Sequence, residues 1–361
     1  ILAFKESVWL DEGLQWDFAQ WSFSDILDLA LHRDAHPPLY GWLLHAWSYF
    51  FGTSVFAFRT VSILCAIAFV FILSNLIRKT FPKITLGFLS VILLYTSPFV
   101  VFYGMELRSY MLVVLLGFVQ WLAFDLVLEK KASFAPYIVL SVLGLYVSYT
   151  FVFFIAGQAI FALFFCRKGF LRFVVPGVTI LFLFVPWILF GIMGRAGGTP
   201  EHFLPIPWYQ VPAIVFVGFA TGRVGVTDMR HLHWLWPTFI GSISYACLFA
   251  ILFVPSFFRR LPKQTQRAVG VLLSALFVTT LFSLVKFSLF DPRYHAPSFG
   301  LFLFVSASIL CTFFAEKMRF RYGALFLLVA SHAVLFFLVA GNPWFMRESW
   351  KSAVPALESE L

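Results

Sequence analysis

The chain has 361 residues, of which 61% are apolar and only 12% are charged. Soluble domains are roughly 45–50% apolar and about 25% charged, so a soluble core could not enclose this much apolar surface, and the composition predicts an integral membrane protein. The formal charge of +9 would suit a nucleic-acid partner, but the basic residues stand in short clusters between apolar runs, as in membrane-protein loops, so we expect no nucleic acid.

The first segment, residues 8–52, is too polar to cross a bilayer and carries the chain's densest set of chemically useful side chains. Within it, Pro37 and Pro38 suit the first turn of a helix that continues to Phe51. The 3–4 spacing of apolar residues predicts one apolar face, with His45 pointing elsewhere. That face would carry Leu39, Trp42, Leu43, Ala46, Trp47 and Phe50. We therefore predict a first loop with juxtamembrane helices over residues 1–55.

A bilayer core of about 30 Å requires roughly 20 apolar residues of helix. Runs of that kind are Phe56–Ile77, Ile84–Val101, Tyr110–Leu128, Leu171–Phe190, Thr238–Phe258, Val269–Leu289, Ser298–Ala315 and Tyr322–Ala340. One further run, Phe134–Phe165, is too long for a single upright helix. It is either one tilted span or two short spans hinged near Tyr146–Thr150.

Charge placement favours two short spans. With two crossings, 15 of the 26 basic residues fall on one side in short loops, as the positive-inside rule expects of the cytoplasmic side. They are Arg78, Lys79, Lys83, Lys130, Lys131, Arg167, Lys168, Arg172, Arg259, Arg260, Lys263, Arg267, Lys317, Arg319 and Arg321. We therefore predict an all-α bundle of about ten spans over residues 56–340, in the cytoplasmic (inner) cell membrane.

The opposite, extracytoplasmic face then receives the first loop, the turn 102–109, the segment 195–237, the turn 290–297 and a tail over 341–361. Within 195–237, the short apolar stretch Trp208–Phe219 is predicted to lie in the membrane interface. All the polar clusters with chemical potential fall on this one face.

Asp11 and Glu12 form the first such cluster. A carboxylate close to lipid loses hydration, which raises its pKa toward the range of a general base. The alternative is that both acids hydrate the loop and cap the next helix. The second cluster is the turn Tyr103–Tyr110, YGMELRSY, where Glu106 and Arg108 either form an interfacial ion pair or contribute to the same site as Asp11.

The third cluster is Asp291-Pro292-Arg293-Tyr294-His295. Arginine binds phosphate through a planar fork of donors and stays charged at any working pH. Tyr294 could donate to the same oxyanion or stack on a sugar. The alternative for Arg293 is that it snorkels to the interface.

His32, Asp34 and His36 are metal ligands by residue type, but their spacing matches no standard site and no fourth ligand is evident. A P-loop or a dinucleotide-binding glycine motif does not occur in a credible context. We therefore predict no required cofactor.

The three clusters, in this order, resemble the GT-C glycosyltransferases related to protein O-mannosyltransferases and to the aminoarabinose transferase of lipid A. Within these, the chain is most similar to the bacterial group described as dolichyl-phosphate-mannose-protein mannosyltransferase-like. The resemblance covers about residues 8–300. Its segments are Asp11-Glu12-Gly13, His36-Pro37-Pro38-Leu39-Tyr40, Phe51-Gly52-Thr53-Ser54, Phe58-Arg59, Ser97-Pro98, Tyr103–Tyr110, Tyr146–Thr150 and Pro292-Arg293-Tyr294.

The resemblance implies a polyprenyl (undecaprenyl or dolichyl) phosphate-sugar donor, held among membrane lipids, and a glycan, lipid or protein acceptor. It implies that Asp11 is the base, and that Glu106 orients the acceptor or, with Asp11, helps to hold a divalent cation. It also implies a span before the first loop and a soluble outer domain after the last span, so we expect the chain to continue at both ends.

The resulting hypothesis is an inverting displacement. Asp11 takes the proton of the acceptor hydroxyl, and Arg293, with Arg108 or Arg59, stabilises the leaving phosphate. The predicted catalytic acids are Asp11, Glu12 and Glu106, and the predicted phosphate- and substrate-binding residues are Arg59, Arg108, Arg293, Tyr294, His36 and Tyr103.

Two other classes remain open. A transporter or flippase of polyprenyl-linked or other lipids would also need many spans and arginines. It should, however, carry charged or helix-breaking residues near the bilayer midplane, and the predicted spans have almost none, Lys286 being the main exception. A structural or assembly subunit is the third class.

Overall fold

The computed structural model of the chain describes residues 10–32, 36–82, 96–165, 167–192, 207–222, 235–285, 289, 291–313, 323, 326 and 329–334. Within these residues all regular structure is helical, as predicted. Five described helical segments are long and apolar enough to cross a membrane: Val55–Thr80, Tyr110–Leu128, Leu171–Ile192, Lys263–Val285 and Pro292–Thr312. The structure therefore confirms a multi-pass helical protein. The predicted total of about ten spans stays a prediction, because the runs 84–101 and 322–340 lie largely outside the described residues.

The described α-helices are numbered in chain order. They are α1 (Leu10–Phe18), α2 (Phe23–His32), α3 (Leu39–Phe51), α4 (Val55–Thr80), α5 (Pro98–Gly104), α6 (Tyr110–Leu128), α7 (Ala135–Val147), α8 (Phe151–Phe165), α9 (Arg167–Trp187), α10 (Val211–Thr221), α11 (Leu235–Ala250), α12 (Pro255–Arg260), α13 (Lys263–Val285) and α14 (Ala296–Phe313). A π-helical turn, Ile188–Ile192, extends α9, and 3₁₀ turns occur at Trp208–Gln210, Ile251–Phe253 and Pro292–His295.

The predicted division of 134–165 into two short helices is confirmed. Helix α7 ends at Val147 and α8 begins at Phe151. Between them, Ser148 is extended, with φ −154° and ψ 128°, and its hydroxyl lies 2.9 Å from that of Thr150. An extended residue cannot continue the helical hydrogen-bond ladder, so the chain bends where the sequence predicted a hinge.

The predicted continuous run 238–258 is wrong. Helix α11 ends at Ala250, a 3₁₀ turn follows, and α12 begins at Pro255. Proline has no backbone N–H and clashes with the preceding helical turn, which favours a break here, and Pro255 takes the first position of the next helix, where proline is tolerated.

The predicted apolar face of α3 is correct only in part. Leu39, Leu43 and Trp47 pack against the core, but the fully buried residues are Tyr40, Leu44 and His45, and Phe50 is 81% exposed. The imidazole of His45 can be buried because both ring nitrogens have partners: the carbonyl oxygen of Ala19 at 3.1 Å and the hydroxyl of Tyr49 at 2.9 Å.

The first-loop helices are fastened to one another and to α4 by indole N–H groups. Trp16 donates to the carbonyl of Thr53 at 2.7 Å, and Trp47 donates to that of Ala57 at 2.9 Å. Gly52 makes the sharp turn between α3 and α4 with a φ of +80°. Residues with a side chain rarely adopt this backbone conformation, whereas glycine adopts it readily. The loop therefore lies against the bundle as an ordered layer.

Helix α14 lies at the centre of the bundle and is almost entirely buried. Glycines allow its neighbours to approach closely. A Cβ atom at Gly117 of α6 would overlap the backbone of Pro297 in α14, and one at Gly157 of α8 would overlap the backbone of Ala275 in α13. Small residues at helix crossings are how membrane helices pack closely.

Polar networks mark the two ends of α6, which is about 28 Å long at 1.5 Å per residue. Near its C-terminal end, Asp125 and Glu129 bind Arg267 of α13, at 2.5 and 2.6 Å. Lys131 and Arg267 hold the pKa of Glu129 below its ordinary value through hydrogen bonds. Basic residues predicted to share one membrane side thus gather at one end, and the polar turn before Tyr110 lies at the other.

Replacement of Gly117 by Ala should destabilise the bundle, because the new methyl group meets backbone atoms that cannot rotate away. Overpacking of this kind costs about 1–3 kcal/mol. The measurement is the thermal midpoint of unfolding in detergent, followed by tryptophan fluorescence. Gly177→Ala in α9 is the matched control, because a Cβ there meets open space. Equal midpoints for G117A and G177A would contradict the tight α6–α14 crossing.

Candidate active site

Glu12 is an enclosed carboxylate in the first turn of α1, with its side chain fully buried. It accepts two hydrogen bonds from Arg59 of α4, at 2.7 Å from a terminal nitrogen and at 3.2 Å from Nε. The backbone N–H of Leu107 donates a third, at 2.7 Å. The carboxylate thus joins α1, α4 and the turn 105–109. The guanidinium of Arg59, only 1% exposed, faces this carboxylate and not an open site.

The turn 105–109 connects α5 to α6 and is held from below by α4. Ser62 donates from Oγ to the carbonyl oxygens of Glu106 and Arg108, at 2.6 and 3.2 Å. The side chain of Glu106 is fully buried. Tyr40 of α3 is buried within electrostatic reach of Glu106 and Arg108, and burial raises the pKa of its phenol. Hydrogen bonds from Ser62 and Glu12 therefore hold the turn 105–109 in place.

Asp11 precedes Glu12 but is placed differently. Its side chain is 36% exposed, and Oδ2 lies 3.8 Å from a terminal nitrogen of Arg108. Another terminal nitrogen of Arg108 lies 3.4 Å from the backbone carbonyl of Asp11, and His36 Nε2 lies 3.4 Å from the same guanidinium. Burial would lower the pKa of Arg108, but Tyr110 and Asp11 outweigh this and raise it. Arg108 is a fixed cation beside a partly open carboxylate.

Tyr110, the first residue of α6, lies close to two arginines. Its ring centroid is 5.9 Å from the guanidinium carbon of Arg108 and 5.6 Å from that of Arg293. A terminal nitrogen of Arg293 donates to its hydroxyl at 3.3 Å. The buried ring of Tyr103 packs edge-on against it at 5.2 Å. This aromatic pair spaces the two cations.

Asp291 orients Arg293. Its Oδ2 accepts hydrogen bonds from Nε at 2.8 Å and lies 2.7 Å from a terminal nitrogen, while Oδ1 caps the 3₁₀ turn by accepting the backbone N–H of Arg293 at 2.9 Å. The next residue, Tyr294, lies within electrostatic reach of Asp11. The three polar clusters predicted from the sequence therefore meet at one end of the bundle.

Helix α10 supports the turn that carries Arg293. A Cβ atom at Gly218 would overlap the ring of Pro292, so the absence of a side chain lets α10 pack directly beneath the turn. On the other side of the turn, buried His295 lies 2.9 Å from the carbonyl of Leu289 and 3.4 Å from the hydroxyl of Thr279. The turn that carries Arg293 is therefore packed on both sides.

A small cleft of about 20 Å³, partly open to solvent, lies between the first-loop helices and the turn 105–109. Its polar lining comes from Gln15, His36, Arg108 and Ser109, and its apolar lining includes Pro37 and Pro38. Val147, at the hinge between α7 and α8, also borders it. The cleft has room for a group about the size of a water molecule beside Arg108.

The sequence suggested a metal set that the described residues do not assemble. His32 is exposed and pairs with Asp28 at 3.0 Å, and Asp34 lies outside the described residues. In the described part of the chain, no three His, Cys, Asp or Glu side chains converge as metal ligands. The divalent cation at Asp11 and Glu106 stays a prediction.

Sequence reasoning did not assign roles to Ser62, Tyr110, Asp291 and Gly218. Tyr110 and Asp291 stand inside the motifs that were recognised, at the first residue of a helix and directly before a proline, so their positions were a usable signal. Ser62 and Gly218 lie in apolar helices, where nothing in the local pattern distinguishes them.

Two comparisons with known proteins show what the chain is similar to. Residues 35–190 match the sequence profile of the family described as dolichyl-phosphate-mannose-protein mannosyltransferase. The fold is similar to the crystal structure of ArnT from Cupriavidus metallidurans in the apo state, with a TM-score of 0.54 and 14% identity over 82% of this chain and 54% of that one. The chain spans about half the length of ArnT, and at this identity the similarity establishes the fold alone. A search of curated proteins found no match.

The matched stretch contains α3, α4, the turn 105–109 and the α7–α8 hinge. These elements carry most of the motifs on which the predicted resemblance rested, and that resemblance is confirmed. Residues 35–190 are thus similar to the dolichyl-phosphate-mannose-protein mannosyltransferase family, and the described helices have an ArnT-like fold.

Proposed function

We propose that this protein is a membrane glycosyltransferase that moves a sugar from a polyprenyl-phosphate donor to an acceptor hydroxyl, with inversion at the anomeric carbon. The observation that carries the proposal is the meeting of a partly exposed carboxylate, Asp11, with two fixed arginines, Arg108 and Arg293, at one end of the bundle. A base for the acceptor and cations for a leaving phosphate are the two requirements of this reaction.

In the proposed step, Asp11 accepts the proton of the acceptor hydroxyl as its oxygen bonds to the anomeric carbon. The bond between that carbon and the phosphate oxygen breaks, and its electron pair leaves with the polyprenyl phosphate. The phosphate group gains one negative charge as it changes from a diester to a monoester. Arg108 and Arg293 lie where they can stabilise that charge.

The two effects are of comparable size. A well-placed general base contributes about 10²–10⁴-fold, and pre-oriented donors around a developing anion contribute a comparable or larger factor. Because each arginine is already held in place by neighbouring groups, little reorganisation is needed when charge develops.

The roles predicted for the other residues divide accordingly. Glu12 and Arg59, predicted as a catalytic acid and a phosphate ligand, form a buried pair, and we propose that they hold the turn 105–109. His36, next to Arg108, is proposed to contact the substrate in the cleft. Glu106 stays the proposed acid that orients the acceptor or, with Asp11, ligates a divalent cation.

We place the site on the extracytoplasmic face. The charge distribution supports this: Lys131 and Arg267, which belong to the basic set predicted to be cytoplasmic, gather at the end of α6 opposite Tyr110. The positive-inside rule assigns the arginine- and lysine-rich end to the cytoplasm.

A lipid transporter is less well supported by the described spans. Their buried charges Arg59 and Asp125, and the half-buried Arg267, lie within about a turn of a helix end. The polar cluster within the bundle consists of neutral Gln120, Gln158 and Ser141, which satisfy one another. A midplane charged site of the kind that transporters use is not present in this part of the chain.

Replacement of Asp11 by Asn should abolish sugar transfer, by at least about 10²-fold, because the amide cannot accept the proton. The measurement is mass spectrometry of envelope glycans, glycolipids and glycoproteins from cells that lack the gene and are complemented with each variant. Wild-type protein should restore a product that differs by one sugar. Asp17→Asn is the matched control, since Asp17 is exposed on the same helix. Full restoration by D11N at equal expression would remove Asp11 from the mechanism.

Replacement of Glu12 by Gln should destabilise the protein, because Arg59 then keeps a buried charge without its counter-ion. Loss of one partner of a buried pair costs about 3–5 kcal/mol. The thermal midpoint of E12Q should fall, D11N should keep the wild-type midpoint, and E12Q combined with Arg59→Met should regain part of the loss. A stable but inactive E12Q would instead support the catalytic role first predicted for Glu12.

A further inference from the structure

Tyr110 lies at this site but has no role in the proposed reaction step described above. It stands at the contact between the turn 105–109 and the turn that carries Arg293, with the guanidinium carbons of Arg108 and Arg293 at 5.9 and 5.6 Å from its ring centroid. Cations near an aromatic face are attracted by its quadrupole. The ring therefore keeps two positive groups close together that would otherwise repel each other.

The hydrogen-bond inventory of the phenol indicates a further use. A tyrosine hydroxyl has one hydrogen to donate and two lone pairs to accept with. The oxygen of Tyr110 accepts from Arg293 at 3.3 Å, and Arg108 also interacts with it. Both arginines are donors only, so the hydroxyl hydrogen must point away from them.

The arginines themselves have limited capacity. Arg293 directs Nε and one terminal nitrogen to Asp291, and Arg108 is close to Asp11. Each cation is thus already partly balanced by a carboxylate. An arriving phosphate would therefore meet cations whose charge is already partly balanced, and the neutral O–H of Tyr110 adds a donor beside them without adding charge.

We propose that Tyr110 is a phosphate-binding residue, which donates its hydroxyl hydrogen to a non-bridging oxygen of the polyprenyl phosphate while its ring sets the spacing of Arg108 and Arg293. This inference rests on the proposed function and names a group that binds the phosphate. The hydroxyl and the ring of Tyr110 have separate roles in it, and substitution can remove the hydroxyl alone or both together.

The test uses the purified protein in lipid nanodiscs and two probes, farnesyl phosphate and farnesol, which share a prenyl tail and differ in the phosphate. Binding is followed by intrinsic tryptophan fluorescence. The variants are Tyr110→Phe, which removes the hydroxyl and keeps the ring, and Tyr110→Leu, which removes both. Tyr209→Phe is the matched control, because Tyr209 is 62% exposed and contacts Trp208.

Wild-type protein and Y209F should bind farnesyl phosphate more tightly than farnesol. Y110F should lose about tenfold or more of its affinity for farnesyl phosphate, the loss expected for one hydrogen bond to a charged group, and Y110L should lose at least as much. Farnesol affinity and the thermal midpoint without ligand should be unchanged in Y110F, which a merely structural role of the hydroxyl would not predict.

The possible failures are distinct. If Y110F binds farnesyl phosphate as tightly as wild type, the inference is overturned and the proposed function stands. If Y110F loses affinity for both probes equally, the hydroxyl supports the fold, and the inference is again overturned. If wild-type protein does not distinguish farnesyl phosphate from farnesol, the phosphate site fails, and with it both this inference and the proposed function.

Discussion

The carboxylate of Glu12 is the contact on which the site's geometry depends. It joins Arg59 of the first described span to the backbone N–H of Leu107, and so ties a loop helix, a span and a turn together at one buried point. A buried ion pair stabilises a fold only when its remaining hydrogen-bonding capacity is satisfied. Here the third hydrogen bond comes from the same turn that presents Arg108. The Glu12–Arg59 pair therefore also fixes the turn that positions Arg108.

Around this point the charges are arranged in opposed pairs. Arg59 faces Glu12, Arg108 lies near Asp11, and Arg293 is bound by Asp291. Of the first two pairs, the buried one is closely bonded, whereas Asp11 is partly exposed and 3.8 Å from its arginine. In the proposed reaction this loosely paired carboxylate accepts the hydrogen bond of a substrate hydroxyl, while Arg108 binds the phosphate from the position it already occupies. The adjacent acids Asp11 and Glu12 thus differ in solvent exposure: Glu12 is fully buried, and the side chain of Asp11 is 36% exposed.

Much of the fold could be predicted because lipid imposes simple rules. Apolar run lengths located the long helices, and charge clusters favoured two short helices hinged near Tyr146–Thr150, where the structure has a break between helices. The errors came from tertiary contacts. His45 was expected to face away from the core, yet Ala19 and Tyr49 satisfy its ring inside it. Pro255 divides a run whose hydropathy alone indicated one helix.

Within the site, residue types indicated the chemistry but not the partners. Asp11 and Glu12 are indistinguishable as a dipeptide, because only the position of Leu107, 95 residues further on, decides which of them is enclosed. Arg59 looked like a phosphate ligand for the same reason. Tyr110 acquires its importance from Arg293, which is distant in sequence. Charge placement correctly predicted that the clusters share one end of the bundle, whereas the division of roles among their members depends on tertiary contacts.

The central claim is that the carboxylate and both arginines surround one phosphate. A cryo-electron microscopy structure of the protein in nanodiscs with farnesyl phosphate tests it most directly. The account predicts phosphate density within hydrogen-bonding distance, about 2.7–3.2 Å, of Arg108, Arg293 and the Tyr110 hydroxyl, with the cleft beside Asp11 open to the phosphate. Phosphate density bound at the Arg267 end of α6, or at a site that contacts neither Arg108 nor Arg293, would contradict it.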